Sequence, residues 1–385
     1  MNDFDFHTVP HLISQAGAAA VLGDIVKQNY PHITQVLVVT DPGFLATGLV
    51  APSIADLERN GFQVSVFSDV VADPPESVVL DAVAKAQTQK IQLVIGIGGG
   101  SSMDVAKLIA VLANGKQKLK AIYGIGNVTG ARLPLIQIPT TAGTGSEATP
   151  IAIVTTGASS KMGVVSQQLY ADIAILDAKL TLGLPAKITA ATGIDAMVHA
   201  IEAYTTKHKK NPISDMLAKQ ALSLLWANLE LACTDGNNII ARQAMLLGAM
   251  LAGQSFANAP CAGVHALAYP IGGIFHVPHG LSNSLVLPHV LRFNSCNAVS
   301  LYAELATIIA PTAQGSAEQR TESMIQAFEA LAVRVGIQTR LRDVGIAEKD
   351  IVQLATEAML QTRLLGNNPK EIRFEDAIAI YSAAL

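Results

Sequence analysis

The sequence predicts a two-domain chain in which an α/β domain precedes an all-α domain. Its 385 residues exceed what one ordinary hydrophobic core encloses. In the first half, short β-branched runs alternate with helix-period segments, which is typical of repeated βα units in a parallel, doubly wound, Rossmann-like sheet. Beyond residue 182, strand-like runs nearly vanish and Ala-, Leu- and Met-rich helical periods dominate. We therefore assign residues 1–182 to the α/β domain and residues 183–385 to the helical domain, with Leu184-Pro185 at the joint.

Each element of the α/β domain follows from a local pattern. Strands are predicted where short apolar runs end at a turn or alternate with polar residues, at residues 35–39, 62–67, 93–95 and 133–138. Helices are predicted where apolar residues recur at helical spacing, at residues 53–58, 77–90 and 101–113. Residues 93–95 are apolar throughout, which favours a buried central strand.

Composition argues against several classes of protein. The net charge is −4 and the main basic run is residues 207–210, so nucleic-acid binding has no electrostatic basis. The acidic N-terminus lacks the apolar core of a signal peptide. Cys233, Cys261 and Cys296 are widely spaced and form no CxxC pair. We expect a cytoplasmic protein with reduced thiols.

One long segment, residues 243–291, contains no Asp, Glu, Lys or Arg, and its length would permit a membrane span. Four prolines recur in it about every ten residues, and we expect them to break it: Pro260, Pro270, Pro278 and Pro288. A transmembrane helix is therefore not expected. The segment also holds four of the nine histidines, and a buried imidazole needs a hydrogen-bond partner or a metal.

Four residues of the second half have the chemistry and spacing of metal ligands. Asp195 and His199 are four residues apart with no Pro or Gly between them, so both lie on one helical face. His265 and His279 flank a stretch containing Pro and Gly, so each can present its ring from its own helix. Three imidazoles and one carboxylate suit Fe²⁺ or Zn²⁺ better than Mg²⁺ or Ca²⁺. The alternative is that Asp195 caps a helix and the histidines are hydrogen-bonded core residues.

Two loops of the α/β domain have features of a dinucleotide site. Residues 96–104 (GIGGGSSMD) follow a buried strand and open a helix, so their glycines permit close approach to a pyrophosphate beside free N–H groups. The GxGxxG spacing is not met because Ser101 stands where the last glycine would be. Residues 139–147 (PTTAGTGSE) offer hydroxyls to ribose or phosphate oxygens. The alternative is that both loops are simply tight or polar turns.

Asp41 lies at the end of the first predicted strand. A carboxylate there can accept hydrogen bonds from the two hydroxyls of an adenosine ribose. A carboxylate there would repel a 2′-phosphate, so we expect NAD to be preferred over NADP. Asp is also a common turn residue, and the position before Pro-Gly fits that role equally.

These motifs, in this order and spacing, resemble the iron-containing (group III) alcohol dehydrogenases, relatives of glycerol dehydrogenases and dehydroquinate synthases. The resemblance covers nearly the whole chain from residue 13 and rests on residues 98–104, 139–147, 192–199 and 265–280. It implies a dehydroquinate synthase-like architecture, an Fe²⁺ ion and a cytoplasmic homodimer. It also implies that the metal ligands and catalytic residues are Asp195, His199, His265 and His279.

The resemblance also implies NAD(P) binding in a cleft between the domains. The implied cofactor contacts are Asp41, Gly98, Gly99, Gly100, Ser101, Asp104, Thr140, Thr141, Thr144, Thr149 and Lys161. Phe256 matches the aromatic residue of the family's substrate pocket. Many relatives carry a histidine where this chain has Tyr269, and an additional His276 lies three residues before His279. Tyr269 and His276 are therefore candidate pocket residues, and the proton relay of this chain is open.

The predicted function is the metal-dependent, NAD(P)-linked interconversion of an alcohol with an aldehyde or ketone. Alternatives within the superfamily are a hydroxyacid–oxoacid transhydrogenase and a zinc enzyme resembling glycerol dehydrogenase. A dehydroquinate-synthase-like lyase needs cationic side chains for an anionic substrate, which the uncharged segment 243–291 disfavours. A catalytically silent binding protein is disfavoured because all four ligand positions are intact. The sequence does not name the alcohol, and the same ligands accept Fe²⁺ and Zn²⁺.

Overall fold

The structure is a computed structural model that describes residues 3–157 and 160–385. The chain forms two compact units. Of the described residues, one unit contains those of 7–141 and 145–182, and the other contains 3–6, 142–144 and 183–385. The first unit is α/β and the second is helical, which confirms the predicted fold class.

The α/β unit is built around a six-stranded parallel sheet. The unit also contains a smaller second sheet. The strands of the two sheets are β1 (His11–Ser14), β2 (Gln35–Val39), β3 (Gln63–Phe67), β4 (Leu93–Gly98), β5 (Gly124–Ile125), β6 (Leu135–Pro139), β7 (Ile151–Thr156), β8 (Ser160–Val165) and β9 (Ile173–Leu176). Its helices are α1 (Leu22–Asn29), α2 (Pro42–Ala46), α3 (Ala51–Arg59), α4 (Glu76–Thr88), α5 (Gly100–Ala113) and α6 (Leu119–Ile122). The large sheet has the order β1-β9-β6-β4-β2-β3.

The order of the strands locates the ligand-binding edge of this sheet. From β2 the chain adds β3 on one side and then returns to place β4 on the other side. The strand order therefore reverses between β2 and β4, and open α/β sheets bind ligands at the carboxyl ends of the strands beside such a point. Val39 of β2 is level with Gly96 of β4, and Gly98 is level with Pro139 of β6. Asp41 and the two motif loops follow these ends directly.

The core of the α/β unit explains why its strands were readable from the sequence. Val36 and Val38 of β2, Ile95 and Ile97 of β4 and Ile136 of β6 are completely buried in one cluster. Strands covered on both faces are nearly continuous apolar runs, and the predicted strands at these positions are confirmed.

A second, three-stranded sheet was not predicted. It has the order β5-β8-β7, and β7 and β8 pair antiparallel with Ile151 level with Val165. The β-branched residues of β7 are typical of a strand, but we did not predict one there because we interpreted this half of the chain only as βα units. The strands β1 and β9, which pair parallel, were also not predicted.

The helical unit consists of long helices. They are α7 (Ala186–Thr205), α8 (Pro212–Thr234), α9 (Ile239–Asn258), α10 (Gly263–Phe275), α11 (His279–Ile309), α12 (Ala317–Arg334), α13 (Ile351–Met359), α14 (Thr362–Leu365) and α15 (Phe374–Ala384). Among the described helices, none is both long enough and apolar enough to cross a membrane.

The expectation that all four prolines break segment 243–291 was wrong for two of them. Pro260 and Pro278 lie in the connections before α10 and α11, but Pro270 lies inside α10 and Pro288 lies inside α11. An internal proline removes one backbone hydrogen bond, at a cost of about 3 kcal/mol. Burial of α10 offsets that cost, because Leu267 and Ile271 are completely buried beside Pro270.

Lys107 of α5 is a completely buried cation that holds the loop after β6 in place. Its Nζ donates to Ser146 Oγ at 2.7 Å, Thr149 Oγ1 at 3.2 Å and the Ile151 carbonyl at 2.7 Å. The Asp104 carboxylate lies 3.7 Å from the same Nζ and accepts hydrogen bonds from the Ser146 hydroxyl and the Ile153 N–H. Burial lowers the pKa of Lys107 to about 8 and raises the pKa of Asp104.

We expect Lys107→Met to destabilise the α/β unit strongly. The variant keeps an apolar stem but leaves Asp104, whose side chain is 15% exposed, without its cation, and removing one partner of a buried ion pair costs up to about 3–5 kcal/mol. Urea unfolding followed by circular dichroism measures the loss. Lys116→Met, at an exposed position, is the matched control and should change the free energy of unfolding by less than about 0.5 kcal/mol. Equal stabilities for the two variants would contradict a supporting role of Lys107.

Candidate metal centre and nucleotide-binding edge

Helix α7 carries the first two predicted ligands. It begins after Pro185, whose fixed φ suits a helix start, and continues to Thr205. Asp195 and His199 therefore lie in its interior, 2% and 5% exposed, on one face. The alternative in which Asp195 caps the start of a helix is wrong, because the helix begins nine residues earlier at Ala186.

The other two predicted ligands lie on separate helices. His265 is in the first turn of α10, and His279 is the first residue of α11. Asp195 Oδ1 lies 3.8 Å from His265 Nε2 and 3.6 Å from His279 Nε2. The ring of His199 stacks on that of His265 with centroids 4.6 Å apart. The structure thus brings together all four residues that the sequence selected.

The electrostatics favour ligand-competent protonation states of His199 and Asp195. Burial lowers the pKa of His199 to about 3, so its imidazole is neutral, as a metal ligand must be. Burial by itself would raise the pKa of Asp195, but the three histidines and a hydrogen bond from Asn283 bring it below its ordinary value. The carboxylate therefore stays ionised and supplies the negative charge of the site.

Two supporting residues were not predicted. The Glu202 carboxylate, 4% exposed, accepts hydrogen bonds from the backbone N–H groups of Ala262 and Val264 at 2.9 and 2.6 Å and lies 2.7 Å from His265 Nδ1. It thereby directs Nε2 of His265 toward the cluster. Asn283 Nδ2 donates to Asp195 Oδ1 at 2.5 Å. Their spacing in the sequence could have indicated both residues. Glu202 is three residues after His199 and Asn283 is four residues after His279, so each lies on the same helical face as a predicted ligand.

From the sequence, Cys261 was predicted only to be a reduced thiol. The structure places it beside the same cluster. Its sulfur and one ring nitrogen each of His199 and His265 lie within 4.8 Å of one another. Asp195, His265 and His279 form a second group with ligand atoms within the same distance. Cys261 is free and buried, and burial raises the pKa of its thiol.

The histidines of this cluster fit a metal ion better than they fit a polar core. Nδ1 of His199 and Nε2 of His265 are buried and have no hydrogen-bond partner among the described residues. A buried nitrogen without a partner costs about 1–3 kcal/mol. Nε2 of His265 lies 3.8 Å from Asp195 Oδ1 and the His199 ring stacks on that of His265, so a divalent cation bound among these residues accounts for the arrangement.

Three candidate pocket residues have different relations to the cluster. The ring of Phe256, on α9, stacks on His199 with centroids 4.4 Å apart. The ring of Tyr269, on α10, lies 5.7 Å from that of His279, and burial raises the pKa of the Tyr269 hydroxyl. His276 is exposed at the end of α10 and has a left-handed φ of 56°. Phe256 and Tyr269 thus line the cluster, whereas His276 ends a helix.

In the α/β unit, four of the predicted cofactor residues, Asp41, Gly98, Gly99 and Thr140, lie at the edge where the strand order reverses. Gly99 precedes α5 in an extended conformation, and the Thr140 N–H donates to the Gly98 carbonyl at 3.0 Å. A Cβ on Gly98 would lie 2.6 Å from Ser102, so glycine is required there. The same Cβ would lie 3.6 Å from Asp41 Oδ2, which places that carboxylate beside the glycine loop.

The remaining predicted cofactor residues have defined places. Asp41 caps α2, its Oδ1 accepting from the Phe44 N–H at 2.8 Å. Thr149, like Asp104, is held in the network of Lys107. Lys161, on β8, pairs with Asp73 at 2.5 Å. The other positions lie on the loops themselves: Gly100, Ser101 and Thr141 in the α/β unit, and Thr144 in the 142–144 segment of the helical unit.

Comparison with known proteins identifies the family. A model of iron-containing alcohol dehydrogenases matches residues 10–178, and a model of the C-terminal part of the Fe-containing alcohol dehydrogenase family matches residues 189–385. Long-chain-alcohol dehydrogenase 1 of Geobacillus thermodenitrificans is 40% identical over 356 residues, covering 91% of this chain and 89% of that protein. The chain therefore belongs to the iron-containing alcohol dehydrogenase family and is an alcohol oxidoreductase.

Solved structures of related enzymes agree with this family assignment. A 1,3-propanediol oxidoreductase, 33% identical, has a TM-score of 0.95 with 100% of both chains covered. Sulfoacetaldehyde reductase from Bifidobacterium kashiwanohense, solved in complex with NAD⁺, is 29% identical and has a TM-score of 0.89, covering 100% of this chain and 99% of that one. The resemblance inferred from the motifs is confirmed.

Proposed function

We propose that this enzyme interconverts an alcohol with an aldehyde or ketone by hydride transfer, with Fe²⁺ bound by Asp195, His199, His265 and His279 and with NAD as the redox partner. The observation that carries the metal assignment is the pair of buried ring nitrogens without hydrogen-bond partners, one of which, His265 Nε2, lies 3.8 Å from Asp195 Oδ1. NAD is supported by the glycine loop at the point of strand reversal and by the NAD⁺ complex of the related sulfoacetaldehyde reductase.

The residues of the chain have separable roles in this chemistry. A divalent ion in this site supplies Lewis acidity toward the oxygen of the substrate, and nicotinamide supplies the hydride acceptor. Asp195 balances positive charge, while Glu202 holds the tautomer and orientation of His265. Phe256, stacked on His199, covers one side of the cluster and keeps water from it. The cytoplasmic location and the homodimer remain predictions.

A substrate screen tests the proposed function. Anaerobically purified protein is mixed with NAD and a panel of primary alcohols, diols and 2-hydroxy acids, and NADH formation is followed. We expect NADH formation that is lost after chelation of the metal. Interconversion of a hydroxyacid and an oxoacid without added NAD would identify a transhydrogenase instead. Absence of both activities in metal-loaded protein would contradict the proposal.

Asp41 is expected to set the preference for NAD. Its Oδ2 lies beside the glycine loop while Oδ1 caps α2, so Asp41→Asn retains the cap and removes only the charge. Without the carboxylate, repulsion of a 2′-phosphate disappears, and we expect the ratio of kcat/KM for NAD over NADP to fall by about tenfold. The exposed Asp24→Asn is the control. An unchanged ratio, or a wild-type preference for NADP, would leave Asp41 only its capping role.

Tyr269 is proposed to shape the pocket beside His279 and not to act as the general base. Its ordinary pKa is about 10, which makes it a poor proton acceptor near neutrality, and burial raises that pKa further. We expect Tyr269→Phe to change kcat by less than about tenfold, and Tyr269→His to add an ionisation at about pH 6–8 to the rate profile. A loss of about a thousandfold in Tyr269→Phe with the metal retained would make the phenol a proton-transfer group.

A further inference from the structure

Cys261 lies in the connection between α9 and α10, four residues before His265. The side chain is buried and free, and its sulfur shares a group of ligand-sized dimensions with nitrogens of His199 and His265. The proposed iron site does not include this sulfur.

A second observation indicates a ligand at this place. His199 and His265 are 5% and 3% exposed, and each has one ring nitrogen without a hydrogen-bond partner among the described residues. Glu202 already engages Nδ1 of His265, so Nε2 is the nitrogen left for a cation. Two imidazoles and one thiol therefore surround the same buried point.

The chemistry of these three ligands differs from that of the Asp195 group. Sulfur and imidazole select thiophilic ions such as Zn²⁺, whereas a carboxylate with imidazoles also suits Fe²⁺. Zinc bonds are about 2.3 Å to sulfur and about 2.0–2.1 Å to nitrogen, so ligand atoms as far as 4.8 Å apart need only a small approach.

We propose that His199, Cys261 and His265 form a second, sulfur-containing ligand set that takes thiophilic divalent ions such as Zn²⁺. It shares both histidines with the Asp195–His199–His265–His279 set, so one chain holds an ion in one set or the other. The proposal rests on the metal centre of the proposed function, but not on its substrate or on NAD. Its consequence is that Zn²⁺ competes with Fe²⁺ by moving toward Cys261 and away from Asp195.

Co²⁺ is the probe, because a thiolate bound to Co²⁺ gives a charge-transfer absorption in the near ultraviolet that nitrogen and oxygen ligands do not give. The titration uses metal-free full-length protein carrying Cys233→Ser and Cys296→Ser, so that Cys261 is its one thiol. We expect the band at stoichiometric Co²⁺, its loss in Cys261→Ala and its persistence in Asp195→Ala. In competition with a chelator, Cys261→Ala should weaken Zn²⁺ binding by about tenfold or more and weaken Fe²⁺ binding less.

The outcomes separate the two proposals. If Co²⁺ binds without giving the band, and this binding is lost in Asp195→Ala, the sulfur ligand is overturned and the proposed iron centre stays in place. No Co²⁺ binding at all would overturn both. A band that survives Cys261→Ala would also overturn the assignment. Circular dichroism of each variant confirms that the fold is retained, and Cys261→Ser gives a second variant of nearly unchanged size.

Discussion

Asp195→Ala and His279→Ala are each expected to abolish Fe²⁺ retention and turnover. Asp195 supplies the negative charge of the cluster, and its Oδ1 lies within 3.8 Å of both His265 and His279. Replacing residues that merely support metal ligands reduces metal affinity or activity by about 10–100-fold, so loss of a ligand itself should exceed about a hundredfold. Iron content by elemental analysis and kcat with a saturating alcohol measure the effect.

Binding of NADH provides the internal control for these variants. The glycine loop and Asp41 belong to the α/β unit, whereas Asp195 and His279 belong to the helical unit, so NADH fluorescence titration should be largely unchanged. His208→Ala, at an exposed position of the helical unit, should retain both metal and activity. Full activity in metal-free His279→Ala protein would contradict the assignment of His279 as a ligand.

Glu202→Gln is expected to produce the next largest effect, through a residue that does not contact the metal. The substitution keeps the size of the side chain but removes the charge that fixes His265 Nδ1 and accepts from two backbone N–H groups. We expect metal affinity to fall by about 10–100-fold, with kcat largely restored at high Fe²⁺. Glu322→Gln, in an ion pair on α12, is the control. A kcat that stays low at saturating metal would show a more direct role for Glu202.

The sequence predicted that Asp195, His199, His265 and His279 lie together because their signal is local. The i, i+4 spacing of Asp195 and His199 holds for any α-helix, and the connection before α11 separates His265 from His279. The same helical spacing contained Glu202, but a lone carboxylate on a helix is usually solvated, and only the fold shows that it is buried against His265.

Other features depend on tertiary packing and were missed for that reason. Pro270 and Pro288 disfavour a helix locally, yet both lie within helices because packing of the apolar faces outweighs the lost hydrogen bond. The role of Lys107 requires that the loop after β6 fold back onto α5. The hydrogen bond from Lys107 to Ser146 joins residues that are 39 positions apart in the sequence. Cys261 gives no motif in the sequence, and only its position beside His199 and His265 distinguishes it.

We propose that this oxidoreductase works through a divalent ion at the Asp195–His199–His265–His279 cluster. The most direct test removes the metal by anaerobic chelation, restores Fe²⁺ stepwise, and follows NAD-linked alcohol oxidation against bound metal. We predict that activity is absent in the metal-free protein, rises in proportion to bound Fe²⁺, and is not recovered in Asp195→Ala. Full activity of the metal-free wild-type protein would contradict the account.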